Sequence, residues 1–226
     1  SEYHYIPSGT AIVRVPDEVP SALAASAACA LRTVMHGFER LGALASHDTV
    51  VVQGSGPVGL YASAVARGKG AGQVLVIGAP RLRLEVAEAW GADATLNIED
   101  AHEEKARRSW VLEHTSGRGA DVVIQCVSGA VIGEGLTYLR PGGRYLSIGG
   151  GGGDITLPGL GQQVTIVSVR SGEGRHYHQA LSFLETRRKE IPFERLLSGV
   201  YPIEKVTDAL QAMADFREVK AVVIPS

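Results

Sequence analysis

Cysteine is scarce: Cys29 and Cys126 are the only two in 226 residues. Two thiols make neither a disulfide framework nor a paired-cysteine zinc knuckle, so a reducing compartment, the cytoplasm, is expected. Long apolar runs are lacking too. The greasiest stretch, residues 22–31, is mostly Ala and Ser and too short to span a bilayer. No charged-then-apolar leader pattern opens the sequence. Charge of one sign is also missing. The formal net charge is −2, which gives no bulk attraction to nucleic acid or to a membrane surface. No internal repeat stands out, and only residues 149–153 are low in complexity. Glycine, in contrast, is abundant at 28 residues, which suits loops that approach a ligand closely.

Along the chain, strand-like and helix-like segments alternate. Residues 1–20, with Pro7, Pro16 and Pro20, read as an extended lead-in with a β-like run at 11–15. Residues 21–44 are Ala-rich and helical, with Gly37 and Gly42 as break points. Strands are predicted at 49–53, 73–77, 94–98, 121–127, 144–148 and 164–169. Helices are predicted at 57–69, 81–90, 102–114, 131–139 and 176–188, with Gly91 at a C′ position. Residues 191–226 break this rhythm, with a short helix at 203–213 and a last β run at 221–224.

Apolar strands separated by helix-length segments mean βαβ units with right-handed crossovers. Strands apolar throughout, such as Val74-Leu75-Val76-Ile77, suit a parallel sheet covered on both faces. The fold class is therefore α/β: a Rossmann-type, doubly wound, six-stranded parallel sheet with ligand at the carboxyl ends of its strands. The expected division is a lead-in at 1–20, a dinucleotide-binding domain at 21–190, and a C-terminal segment at 191–226 that packs with another domain.

Gly54-Ser55-Gly56-Pro57-Val58-Gly59 is a GxGxxG loop. The pattern alone is weak, but here it follows a predicted strand and opens a predicted helix, which is the required setting. Gly54 serves the tight turn, Gly56 the close approach of a diphosphate, and Gly59 the packing of helix on strand. Pro57 suits the first helical turn, whose N–H groups and dipole face the anion. A plain strand-to-helix turn is the bland alternative. The second strand would end in an acid if it bound the ribose of NAD. Here it runs into Gly78-Ala79-Pro80-Arg81-Leu82-Arg83, with no acid. Arg81 and Arg83 are candidates for contacts to a 2′-phosphate or the ribose, a lean towards NADP over NAD. The alternative is that both are solvated helix residues.

These motifs together resemble the zinc-dependent medium-chain alcohol dehydrogenases. The resemblance rests on residues 50–59, on Arg83-Leu84 leading to Gly91-Ala92-Asp93, on residues 117–123, and on Arg140-Pro141-Gly142-Gly143-Arg144. It runs from about Tyr3 to Pro225. It implies an oxidoreductase that moves a hydride between a nicotinamide cofactor and an alcohol or carbonyl substrate. It further implies that the two terminal segments belong with a GroES-like catalytic domain whose first zinc ligands and four-cysteine loop are not in this sequence. By this resemblance Cys29 matches the last zinc ligand and Thr33 a catalytic threonine near the nicotinamide. Zinc would need further ligands from a catalytic domain. Val127 corresponds to the adenine–ribose side of the cleft, and Ile148 and Gly149 to the loop beside the nicotinamide. The run 151–153 departs from the family's more varied loop. Gln125 stands where an acid is frequent, and Cys126 reads as core. Pairing through the last strand implies a homodimer or tetramer. Two rival readings stay open: a dinucleotide-binding module without chemistry, and a zinc-free quinone or enoyl reductase.

Overall fold

A computed structural model describes residues 5–129, 131–150 and 162–225. Two helices come first, α1 (Ser21–Ala27) and α2 (Ala30–Leu41). The alternation then runs β1 (Thr49–Gln53), α3 (Pro57–Gly68), β2 (Gln73–Gly78), α4 (Arg81–Ala89), β3 (Ala94–Asn97) and α5 (Glu104–His114). It continues with β4 (Ala120–Gln125), α6 (Ile132–Leu136), β5 (Leu139–Ser147), β6 (Thr165–Ser168) and α7 (Gly174–Arg187). The chain closes with β7 (Leu197–Pro202), α8 (Val206–Ala214) and β8 (Lys220–Ile224). The strand expected at 164–169 is β6, which runs from Thr165 to Ser168, and the glycines 151–153 lie outside the described residues.

The six-stranded sheet is all parallel, in the order β3-β2-β1-β4-β5-β6. That order reverses direction between β1 and β4, the switch point where a doubly wound sheet leaves a crevice. Side chains of β1 alternate between two cores, as a period of two demands. Val50 and Val52 pack with α1, α2, α3 and α7, while Val51 packs with Val111 of α5 and Leu136 of α6. Every residue of β1 and β4 is buried. Among the described residues no helix is long and apolar enough to cross a membrane.

The sequence motifs tie the strands together at their amino ends. Asp121 accepts the Thr49 N–H at 2.8 Å and meets Arg140 Nε at 2.5 Å, which joins β1, β4 and the turn within β5. Asp93 likewise accepts the Val74 N–H at 2.6 Å and pairs with Arg67.

Three expectations need correction. The first helical segment breaks at Cys29 and not at Gly37, which lies inside α2. A Cβ at Gly37 would stand 3.0 Å from Leu146 and 3.1 Å from Ile148, so the residue serves a close helix–sheet approach. Gly42 does end the helix, with φ 88°. The β-like run at 11–15 forms no strand. Segment 191–226, expected to hold only one β run, also holds β7, which pairs in parallel with β8 as a separate two-stranded sheet. This C-terminal unit is fastened by the Trp90 indole, whose N–H donates to the Pro192 carbonyl at 3.0 Å. Arg83 adds a hydrogen bond to the Glu218 carbonyl at 3.2 Å.

Candidate functional site

The carboxyl ends of β1, β2 and β4 open onto a cavity of about 930 Å³. Its first wall is the glycine loop. Gly54 takes φ 110°, and its N–H donates to the Ile77 carbonyl at 2.7 Å. Gly56 caps α3 in extended geometry, Pro57 begins the helix, and the first helical bond runs from the Leu60 N–H to the Gly56 carbonyl. The N–H groups of Val58 and Gly59 thus lie in the turn where a helix offers them no partner. A Cβ added to Gly56 meets nothing within 4 Å. One added to Gly59 would stand 1.8 Å from the Gly54 carbonyl oxygen. The two glycines have opposite duties: Gly56 leaves the loop open outward, and Gly59 seats the helix on the strand.

The second wall is the exit of β2. Gly78 and Ala79 line it, and the Ser55 hydroxyl donates to the Ala79 carbonyl at 2.9 Å. Ser55 therefore clamps loop to loop. Arg83 also lines the cavity and is 8% exposed. Its guanidinium carbon lies 5.0 Å from the Phe216 ring centre. Among the described residues its Nε is buried without a partner, and burial pulls its pKa down. Both facts describe a cation that meets no anion among the described residues.

The third wall comes from β4, α5 and α6. Val127 and Cys126 face the cavity, and burial pushes the Cys126 thiol up, so it stays protonated. Deeper down, Arg107 Nε meets Glu134 at 2.5 Å, and the Tyr138 hydroxyl donates to the same carboxylate oxygen. Burial first, then the hydrogen bond to Glu134 and its charge, push the Tyr138 phenol up. The Glu134 hydrogen bond raises Arg107.

Of the residues singled out by sequence, Gly54, Ser55, Gly56, Gly78, Ala79, Arg83 and Val127 come together around one cavity. Pro57, Val58 and Gly59 stand behind that wall in α3. Arg81 does not join them. It is over half exposed and paired with Glu88 at 3.1 Å and Glu85 at 3.7 Å. Ile148 packs on the main core, and Gly149 lies against the Val127 backbone. Cys29 is exposed at the start of α2, and the Thr33 hydroxyl donates to the Cys29 carbonyl at 2.7 Å. Among the described residues no group of three His, Cys, Asp or Glu is placed to hold a metal ion. Arg107, Glu134, Tyr138 and Phe216 carried no motif. Only the i,i+4 spacing of Glu134 and Tyr138 hinted that those two meet.

A family model for zinc-binding dehydrogenases matches residues 57–186. The chain is 31% identical over 230 residues to 5-exo-hydroxycamphor dehydrogenase of Pseudomonas putida, covering 99% of this chain and 63% of that protein. It is 28% identical to erythritol/L-threitol dehydrogenase of Mycolicibacterium smegmatis, with 100% and 62% covered. The solved alcohol dehydrogenase of Thermotoga maritima superposes with a TM-score of 0.85 at 27% identity, over 95% of this chain and 60% of that one. This chain thus spans about three fifths of the length of these relatives. The parallel sheet, the glycine loop at its switch point and these matches agree: the chain belongs to the zinc-binding dehydrogenase family.

Proposed function

We propose that this chain is the dinucleotide-binding part of an alcohol dehydrogenase-like oxidoreductase. The reaction moves a hydride between the nicotinamide of NAD or NADP and a small alcohol or carbonyl compound. One observation carries the reading. The glycine loop leaves β1 and enters α3 with its open face at Gly56, on a cavity at the β1–β4 switch point. The unpaired N–H groups of the first turn of α3, with the helix dipole, hold the diphosphate. The cofactor supplies the hydride chemistry when bound, and this chain binds and orients it.

The cofactor is NADP in preference to NAD. Arg83 supports this, because among the described residues its buried Nε lacks a partner on the cavity wall where β2 ends. No carboxylate stands in Gly78-Ala79-Pro80 to repel a 2′-phosphate. Zinc does not fit the described residues by themselves, since Cys29 has no co-ligands there. Cys29 serves as a ligand, and Thr33 as its catalytic neighbour, only beside ligands from a catalytic domain.

Residues 21–190 form the cofactor domain, while 1–20 and 191–226 belong with the catalytic part. The separate β7–β8 sheet supports that division. The protein is cytoplasmic. It pairs through β6, an edge strand on which Ile166 is 44% exposed, as a homodimer or tetramer. The test is titration of the purified chain with NADH and with NADPH, followed by nicotinamide fluorescence. Saturable binding that is abolished in Gly56→Asp supports the reading. No binding of either nucleotide up to millimolar concentration overturns it.

A further inference from the structure

Gln125 ends β4 and is fully buried. Its side-chain amide holds two loops at once. Oε1 accepts the Ser147 hydroxyl at 2.9 Å and the Gly149 N–H at 3.3 Å. Nε2 donates to the Gly150 carbonyl at 3.2 Å and to the Val127 carbonyl. This orientation alone satisfies all the partners, because carbonyl oxygens only accept and a backbone N–H only donates. The Gln125 main-chain carbonyl adds bonds from the N–H groups of Ile148 at 2.9 Å and Gly149 at 3.0 Å.

The loops so joined have no slack. A Cβ at Gly149 would stand 2.2 Å from the Val127 carbonyl oxygen, and one at Gly54 would stand 2.5 Å from Val127 Cγ1. The glycine loop, the Val127 loop and the Gly149 loop are therefore stacked in that order. Movement of the middle layer changes the cavity wall that Gly54 and Val127 share. An ionised carboxylate at this position would give neither carbonyl a donor, and would set a buried charge against two carbonyl oxygens.

We infer that Gln125 is a positioning residue whose side-chain amide locks the Val127 and Gly149 loops against the glycine loop and so fixes the shape of the cofactor cavity. The geometry stands alone; the consequence for nucleotide binding rests on the cofactor reading above. Two variants of the whole chain test it, Gln125→Glu and Gln125→Met. The second has similar length and no charge, so it reports even if the first does not fold. Hydrogen exchange on the nucleotide-free chain reads the lock itself. NADH and NADPH titrations read its consequence.

In Gln125→Met, exchange at 126–129 and 148–150 rises on the order of tenfold, the scale of one or two lost buried hydrogen bonds, while β1 and β2 stay protected. Affinity for the nucleotide that the unaltered chain binds falls by a similar factor. Gln125→Glu shows the same loss at pH 8 and recovers affinity as pH falls, because a protonated carboxyl regains one donor. The unaltered chain shows no such recovery. The inference is overturned if Gln125→Met exchanges like the unaltered chain at both loops. It is also overturned if the loops loosen while affinity stays within twofold. If the unaltered chain binds neither nucleotide, the cofactor reading fails, and exchange alone decides whether Gln125 is the lock.

Discussion

Gly56 and Gly59 lie three positions apart in one loop, yet alanine at each has a different outcome. At Gly56 the backbone is φ −72°, ψ 176°, which any residue adopts, and a Cβ meets nothing within 4 Å. Alanine there gains some tenths of a kcal/mol by stiffening the unfolded chain and loses a similar amount as a poorer helix cap. Stability therefore changes by less than about 0.5 kcal/mol. The new methyl does occupy the approach to the first turn of α3. Losing one or two charge-assisted hydrogen bonds of about 1.5–3 kcal/mol each weakens nucleotide binding by roughly tenfold or more. At Gly59 the methyl would sit 1.8 Å from a backbone oxygen and 2.8 Å from its carbon, and neither can rotate away. The cost is at the top of the overpacking range, about 3 kcal/mol, which for a chain of this size lowers Tm by roughly 6–12 °C. Thermal unfolding and nucleotide titration of both variants make the comparison. The reasoning is refuted if Gly56→Ala melts as early as Gly59→Ala, or if it binds nucleotide like the unaltered chain.

Other outcomes follow from the same geometry. Arg83→Ala lowers NADPH affinity about tenfold or more and leaves NADH nearly unchanged, whereas Arg81→Ala shifts either by less than about twofold in the same titrations. Asp121→Asn destabilises by about 1–3 kcal/mol near neutral pH, as measured by urea unfolding. Burial pushes the Asp121 carboxyl up, but the Thr49 N–H and Arg140 outweigh it and hold it below the ordinary range. A depressed folded value means the contribution is complete above an unfolded pKa of about 3.9 and fades as pH falls through the lower folded value. The gap between the two proteins should therefore close in acid; a gap independent of pH refutes the assignment. Ile166→Asp on the exposed edge of β6 shifts the sedimentation of the chain towards the monomer, and an unchanged assembly rules out pairing through that strand.

What the sequence made legible follows from how each segment is covered. β1 is legible at its observed bounds because both faces are buried, which leaves the apolar run Val50-Val51-Val52 between two turns of glycine and polar residues. β5 begins at Leu139, earlier than the expected 144, because Arg140-Pro141-Gly142-Gly143 reads as a turn, yet the strand carries it as an irregularity against β4. β7 was hidden by Gly199 and Pro202 and by alternate exposure, and it forms only because β8 returns to pair with it. Gly37 imitates a helix breaker, and its reason lies in Leu146 and Ile148, more than a hundred positions away. The glycine loop was legible because it is local. Arg81 and Arg83 were not separable, since two positions on a helix point to different faces and only Glu88, Thr95 and Phe216 reveal which is which.

The strand order also shapes how the protein comes into being. β1 lies in the sheet's centre, but its neighbour β4 lies 72 positions later, at the contact from Thr49 to Asp121. One side of the crevice is built from the local unit β1, α3 and β2, whereas the other is expected to wait for closure of that long loop. On the proposed cofactor reading, a nucleotide held across the seam would grip only a chain whose two halves have already met. Such a nucleotide would act as a late fastener, expected to slow escape from the native state while doing little to hasten arrival there.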